Sequence, residues 1–99
     1  RLYEQRNIAW QMLNDIPGVS CVKPEGAMYC FPKLDPEIYP VQDDEKLMLD
    51  LLRAEKVLLV QGTGFNWPTP DHFRVVFLPA ENELREAITR VGRFLAKMR

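Results

Sequence analysis

Apolar positions recur along this chain in two rhythms, one helical and one extended. From about Tyr3 to Asp15, the residues Ala9, Met12, Leu13 and Ile16 return at helical spacing, with Ile8 and Trp10 flanking the stripe. Pro17-Gly18 should end that helix, because proline cannot continue it and glycine accepts a left-handed backbone. Val19 to Val22 reads as a short strand, Lys23-Pro24-Glu25-Gly26 as a turn, and Ala27 to Phe31 as a returning strand. Both faces of that second strand are apolar, which predicts an interior strand covered on both sides. Pro32 to Asp43 has little periodicity and reads as a surface loop. Leu47, Met48, Leu51 and Leu52 then mark the buried stripe of a helix over about Asp44 to Glu55.

Val57 to Val60 reads as a buried strand, Gln61-Gly62-Thr63-Gly64 as a glycine turn, and Asn66 to His72 as a proline-bearing loop. Phe73-Arg74-Val75-Val76-Phe77-Leu78 follows, rich in β-branched and aromatic residues, and predicts a strand. With a period of two, Phe73, Val75 and Phe77 share one face, and Arg74 shares the other with Val76. The last helix, about Glu81 to Lys97, carries the clearest stripe: Leu84, Ala87, Ile88, Val91, Leu95 and Met98. Glu81, Glu83 and Glu86 lie early in it and Arg90, Arg93, Lys97 and Arg99 late, an order that suits the helix dipole, so these charges read as a solvated face. The expected order is α-β-β-α-β-β-α. Three helices against a small, mostly antiparallel sheet make an α+β two-layer sandwich.

Length and composition narrow the function classes. The 99 residues, 46% hydrophobic and 27% charged, fit one ordinary globular domain over residues 1–99. A net charge of −1 gives no reason to expect nucleic acid or an anionic membrane as partner. No apolar stretch approaches the roughly 20 residues of a spanning helix, and no signal-peptide pattern opens the chain, so a cytoplasmic location is expected. The first residue is Arg1, already in helical-looking sequence, which suggests a piece of a longer chain. Cys21 and Cys30 flank the first turn. A simple hairpin would set Cys21 opposite Met28 with Cys30 diagonal to it, and buried thiols are expected rather than a disulfide. His72 is the only histidine, so no metal-type spacing exists, and it reads as a surface loop residue.

Candidate chemistry reduces to few side chains. There is no nucleophile-base-orienter set, and Gly62-Thr63-Gly64 lacks the full phosphate-loop pattern. Phe65 and Trp67 line a pocket or plug a loop, with nothing in the pattern to separate these. Tyr29 is core or cleft wall. Arg74 leaves two readings open. Its aliphatic stem covers the sheet while the head reaches water, or its planar fork of donors clamps a carboxylate.

Three motifs in succession bear on that choice: Pro24-Glu25-Gly26-Ala27-Met28-Tyr29, then Val57-Leu58-Leu59-Val60-Gln61-Gly62-Thr63-Gly64-Phe65, then His72-Phe73-Arg74-Val75-Val76-Phe77. Together they resemble the small C-terminal domain of class I (fold-type I) pyridoxal-phosphate aminotransferases. The stretch from Gln61 to Arg74 is similar to the bacterial glutamate–pyruvate (alanine) transaminases. The family commonly has proline-glycine where this chain has Gln61-Gly62. The resemblance implies that Arg74 binds the substrate α-carboxylate and that Tyr29 lies near the substrate side chain. It implies amino acids and 2-oxo acids as substrates, pyridoxal phosphate as cofactor and a homodimeric full enzyme. Lys23, Lys33, Lys46, Lys56 and Lys97 lack the serine-rich context of the Schiff-base lysine. No catalytic or cofactor-binding residue is therefore expected in this chain, which should be inactive alone. The competing expectation is a stand-alone α+β regulatory or interaction module without catalysis.

Overall fold

In a computed structural model of the chain, the described residues are 2–25 and 28–99, without the side chains of Leu2 and Phe65. Gly26 of the first turn and Ala27 of the returning strand lie outside them. The three helices form where the stripes predict. Helix α1 spans Leu2–Asp15, α2 Asp44–Glu55 and α3 Glu81–Ala96. Asp43 caps α2 by accepting the Lys46 N–H at 3.1 Å, and Lys56 closes it in the left-handed region, its N–H donating to Leu52 O. Gly18 ends the α1 turn at φ +81°, where a Cβ would lie 2.6 Å from the Tyr39 ring.

Among the described residues, five short strands complete the α+β architecture: β1 Val19–Ser20, β2 Tyr29–Cys30, β3 Lys33–Leu34, β4 Val60–Gln61 and β5 Phe73–Val76. The order carries one strand more than expected, and the pairing is less local. The predicted hairpin between the first two strands does not form. Instead β1 pairs antiparallel with β3, Val19 opposite Leu34, and β2 pairs with β5, Tyr29 opposite Val76. The strand at Lys33–Leu34 falls inside the stretch read as loop, and Leu34 and Tyr39 of that stretch are buried. Burying two large side chains outweighs keeping the segment on the surface. The second strand is not covered on both sides. In the three-stranded sheet β2-β5-β4 it is an edge strand, with Cys30 buried and Tyr29 outward. The fourth strand starts only at Val60, and Leu58 before it is exposed.

Strand β5 lies at the centre of that sheet and keeps the predicted faces. Phe73, Val75 and Phe77 are each under 5% exposed and join Leu84, Ile88, Val91 and Leu95 of α3 and Ala9 and Leu13 of α1 in one core. Glu55, at the end of α2, is buried and accepts a two-point contact from Arg93 of α3, with Nε at 3.0 Å and Nη2 at 2.5 Å. The Arg93 guanidinium holds the Glu55 carboxyl below its ordinary value.

Core burial on β5 dominates this arrangement. We predict that Phe73→Ala lowers stability by about 3–5 kcal/mol, while Thr89→Ala on the outer face of α3 changes it by less than about 0.5 kcal/mol. Urea unfolding of both variants checks this.

Candidate functional site

Arg74 lies on the face of β5 opposite the core. It is half-buried, paired across to Val60 of β4, and its guanidinium carbon sits 5.2 Å from the Tyr29 ring centroid. A cation over an aromatic face at this distance is an attractive contact. The fold thus brings together the two side chains that the sequence singled out. They come from strands more than 40 residues apart, joined by the β2–β5 ladder.

Arg74 also lines a cleft of about 380 Å³. Its walls are the segment Lys56 to Val60, the strand residues Val75 and Val76, and Pro79, Glu83, Leu84 and Ala87 at the start of α3. Lys56 and Glu83 in those walls carry charge; the sequence pattern read Glu83 as part of a solvated face and gave Lys56 no role in a site. The outward sheet surface around Arg74 is otherwise apolar: Tyr29, Val60 and Val76 are each between 37% and 40% exposed. The cleft sets the Arg74 guanidinium beside apolar sheet residues and the charged Lys56 and Glu83, and a guanidinium's planar donors match an oxyanion carried by a ligand.

Two carboxylates, Asp44 buried and Asp71 partly buried, fix the loops that frame β5, and the sequence pattern foretold neither. Asp44, the first residue of α2, accepts the Thr63 N–H at 3.0 Å and the Thr63 hydroxyl at 2.6 Å, which pins the 3₁₀ turn Gly62–Phe65 after β4. Gly62 sits close to the strand. Its N–H donates to His72 O at 2.8 Å, and a Cβ there would meet that oxygen at 2.9 Å. The turn reading of these glycines therefore holds.

Asp71 is the second anchor. One oxygen accepts from Thr69 Oγ1 at 2.7 Å, Trp67 Nε1 at 3.2 Å and His72 Nδ1 at 2.9 Å. The His72 ring stacks on Phe31 at 4.6 Å and leans on Trp67 at 4.4 Å. His72 is thus not a surface loop residue: its side chain is 12% exposed, and Lys33 bridges to its backbone. Burial alone would raise the Asp71 carboxyl, but the hydrogen bonds from Thr69, His72 and Trp67 outweigh it and hold the group below its ordinary value.

No group of three or more metal-ligating side chains occurs among the described residues. The five lysines are all exposed. Lys46 pairs with Asp50, Lys56 Nζ reaches Arg53 O, and Lys23 lies over Trp10. A lysine amine that condenses with a carbonyl needs desolvation or a cationic neighbour to become neutral. No described lysine has such a site. No helix among the described residues is long and apolar enough to cross a membrane.

The acid limb of stability should report these anchors. A carboxyl held below its unfolded value adds stability above that value and loses it as pH falls through the folded one. We predict that stability falls as pH drops below about 5. Asp71→Asn and Glu55→Gln should each flatten that fall, as read by urea midpoints across pH.

The family model described as aminotransferase class I and II matches residues 1–91. The alanine aminotransferase of Mycobacterium tuberculosis is 64% identical over all 99 residues, which cover 23% of that protein. The glutamate-pyruvate aminotransferase AlaA of Escherichia coli is 59% identical over 96 residues, 97% of this chain and 24% of that one. Among solved structures, an Escherichia coli aminotransferase superposes with a TM-score of 0.94 at 59% identity, over 97% of this chain and 24% of that one. An alanine aminotransferase from Pyrococcus furiosus superposes with a TM-score of 0.88 at 42% identity, over 97% and 24%. The chain spans about a quarter of the length of the relatives it matches.

Proposed function

The chain belongs to the class I and II aminotransferase family, and on that premise we propose that it is the C-terminal, substrate-binding domain of a cytoplasmic, homodimeric transaminase. The full enzyme exchanges the amino group between alanine or glutamate and their 2-oxo acids. The names of the relatives at 59–64% identity support this substrate class. Their greater length supports a part of a larger enzyme over a stand-alone module.

The observation that carries the reading is Arg74, outward on a strand whose other face is locked in the core, beside Tyr29 and open to a cleft. Every amino acid and 2-oxo acid carries an α-carboxylate, so one guanidinium fork can orient them all. Orientation sets the Cα–H bond for proton removal and can supply several kcal/mol. Tyr29 holds the fork over its ring and forms a wall near the substrate side chain. The exposed apolar residues around Arg74 form the surface that the rest of the enzyme covers, which excludes water from the clamp.

The family depends on pyridoxal phosphate, which serves as an electron sink when bound. The five exposed lysines here do not fit the amine that would hold it. The cofactor therefore belongs to another part of the enzyme, and the isolated chain should not transaminate.

In the full-length enzyme, Arg74→Lys should lower kcat/KM for glutamate and pyruvate about 10- to 100-fold, the loss of a bidentate charge-assisted contact. Steady-state kinetics checks this, and an unchanged kcat/KM would remove the clamp role.

A further inference from the structure

Phe31 takes no part in the function above, yet the fold sets it beside Arg74. Strands β2 and β5 pair Tyr29 with Val76 and Cys30 with Val75, and Lys33 bridges to His72. The same register puts Phe31 directly across from Arg74, and the Phe73 N–H donates to Pro32 O at 3.3 Å in keeping with it. Cys30 and Pro32 are buried, so Tyr29 and Phe31 both project to the outward face that carries Arg74. Side chains directly opposite on one face have Cβ atoms about 4.5–5.5 Å apart, close enough to limit each other's rotamers.

The Phe31 ring runs across the strands rather than along them. It stacks on His72 at 4.6 Å and meets the Trp67 ring edge-on at 5.3 Å. Its tip reaches the residue after β4, for a Cβ on Gly62 would lie 3.2 Å from Phe31 Cζ. Gly62 therefore leaves room for this ring as well as for the His72 carbonyl. Trp67 and His72 are held in turn by one Asp71 oxygen. Aromatic pairs at such separations attract beyond their burial, so the ring is fixed from three directions. A wall of rings thus crosses the outward face on the entry side of Arg74. Tyr29 stands on the exit side, its ring centroid 5.2 Å from the guanidinium carbon.

We propose that Phe31 is a positioning residue for Arg74: its ring, seated over Gly62 and backed by His72 and Trp67, closes one side of the slot and aims the guanidinium toward Tyr29 and the cleft. This role rests on the carboxylate role of Arg74 proposed above. An arginine side chain has several rotatable bonds, and a ligand that orders it must offset the lost rotamer freedom. A wall that removes those rotamers beforehand leaves less to lose. It also keeps the planar fork in line with the carboxylate, on which orientation of the reacting bond depends. Phe31 acts through Arg74, and a substitution there should be felt only while a guanidinium is present to be aimed.

A double-mutant cycle in the full-length holoenzyme tests this. Phe31→Leu should lower kcat/KM for glutamate and pyruvate about 10-fold, and the dissociation constant of glutarate, an unreactive dicarboxylate, should rise in step. In an Arg74→Lys background the same change should cost less than about twofold, because no fork is left to be aimed. A merely structural ring would lower both backgrounds alike. Trp67, 40% exposed at the outer end of the stack, provides a second route. Trp67→Leu loosens the wall from outside and should show the same dependence on Arg74, so the cycle is decided even if Phe31→Leu fails to fold. Unchanged values in the folded variants, or losses of equal size in both backgrounds, overturn the proposal and leave the clamp standing. An Arg74→Lys enzyme with wild-type kcat/KM overturns the clamp itself, and the positioning role falls with it.

Discussion

The alternation along β5 is the constraint on which the rest of the structure depends. Phe73, Val75 and Phe77 are committed to the core, so the residue between the first two must face outward. A slip of one position would drive a guanidinium into the apolar interior and lift three large side chains into water. Burying each such side chain contributes roughly 1.5–3 kcal/mol, so the register has little freedom. The position of Arg74 thus follows from hydrophobic burial on the other side of its own strand. The charge needs no device of its own to find its place.

What surrounds β5 holds it from both ends. Asp71 and the Phe31–Trp67–His72 cluster fix the entry to the strand, and Gly62 N–H ties that entry to the 3₁₀ turn. Asp44 ties the same turn to α2 through Thr63. Gln5 of α1 donates to the carbonyls of Leu78 and Pro79 at the exit. These contacts are buried or partly so, and their loss would leave polar groups without partners. The exposed pairs Lys46–Asp50, Arg85–Glu81 and Arg90–Glu86 weigh far less, about 0.3–0.5 kcal/mol each. The sheet face that carries Arg74 is therefore held by packing and buried hydrogen bonding, which suits the ligand-orienting role proposed for it.

Much of this was readable in the chain because it is local. Helical stripes such as Leu84, Ile88, Val91 and Leu95 repeat within one element, and the faces of β5 follow from a period of two. What escaped was non-local. Pro24-Glu25 looks like hairpin chemistry, yet the pairing of Val19 with Leu34 is decided by burying Leu34 and Tyr39, which no turn motif announces. Tyr29 proved an edge residue because its covering partner depends on strand order, not on its own neighbours. His72 left the surface because Phe31, some 40 positions earlier, stacks on it. The Arg74–Tyr29 pair was anticipated as two separate residues, and only the β2–β5 ladder makes them neighbours.

The role assigned to Arg74 is tested most directly by a crystal structure of the full-length protein with a non-reacting carboxylate analogue of the substrate. A bidentate contact from the Arg74 guanidinium to the ligand carboxylate, with N···O distances of about 2.7–2.9 Å, is the predicted result. A ligand seated elsewhere, with Arg74 held by an acidic side chain of the protein, would contradict it.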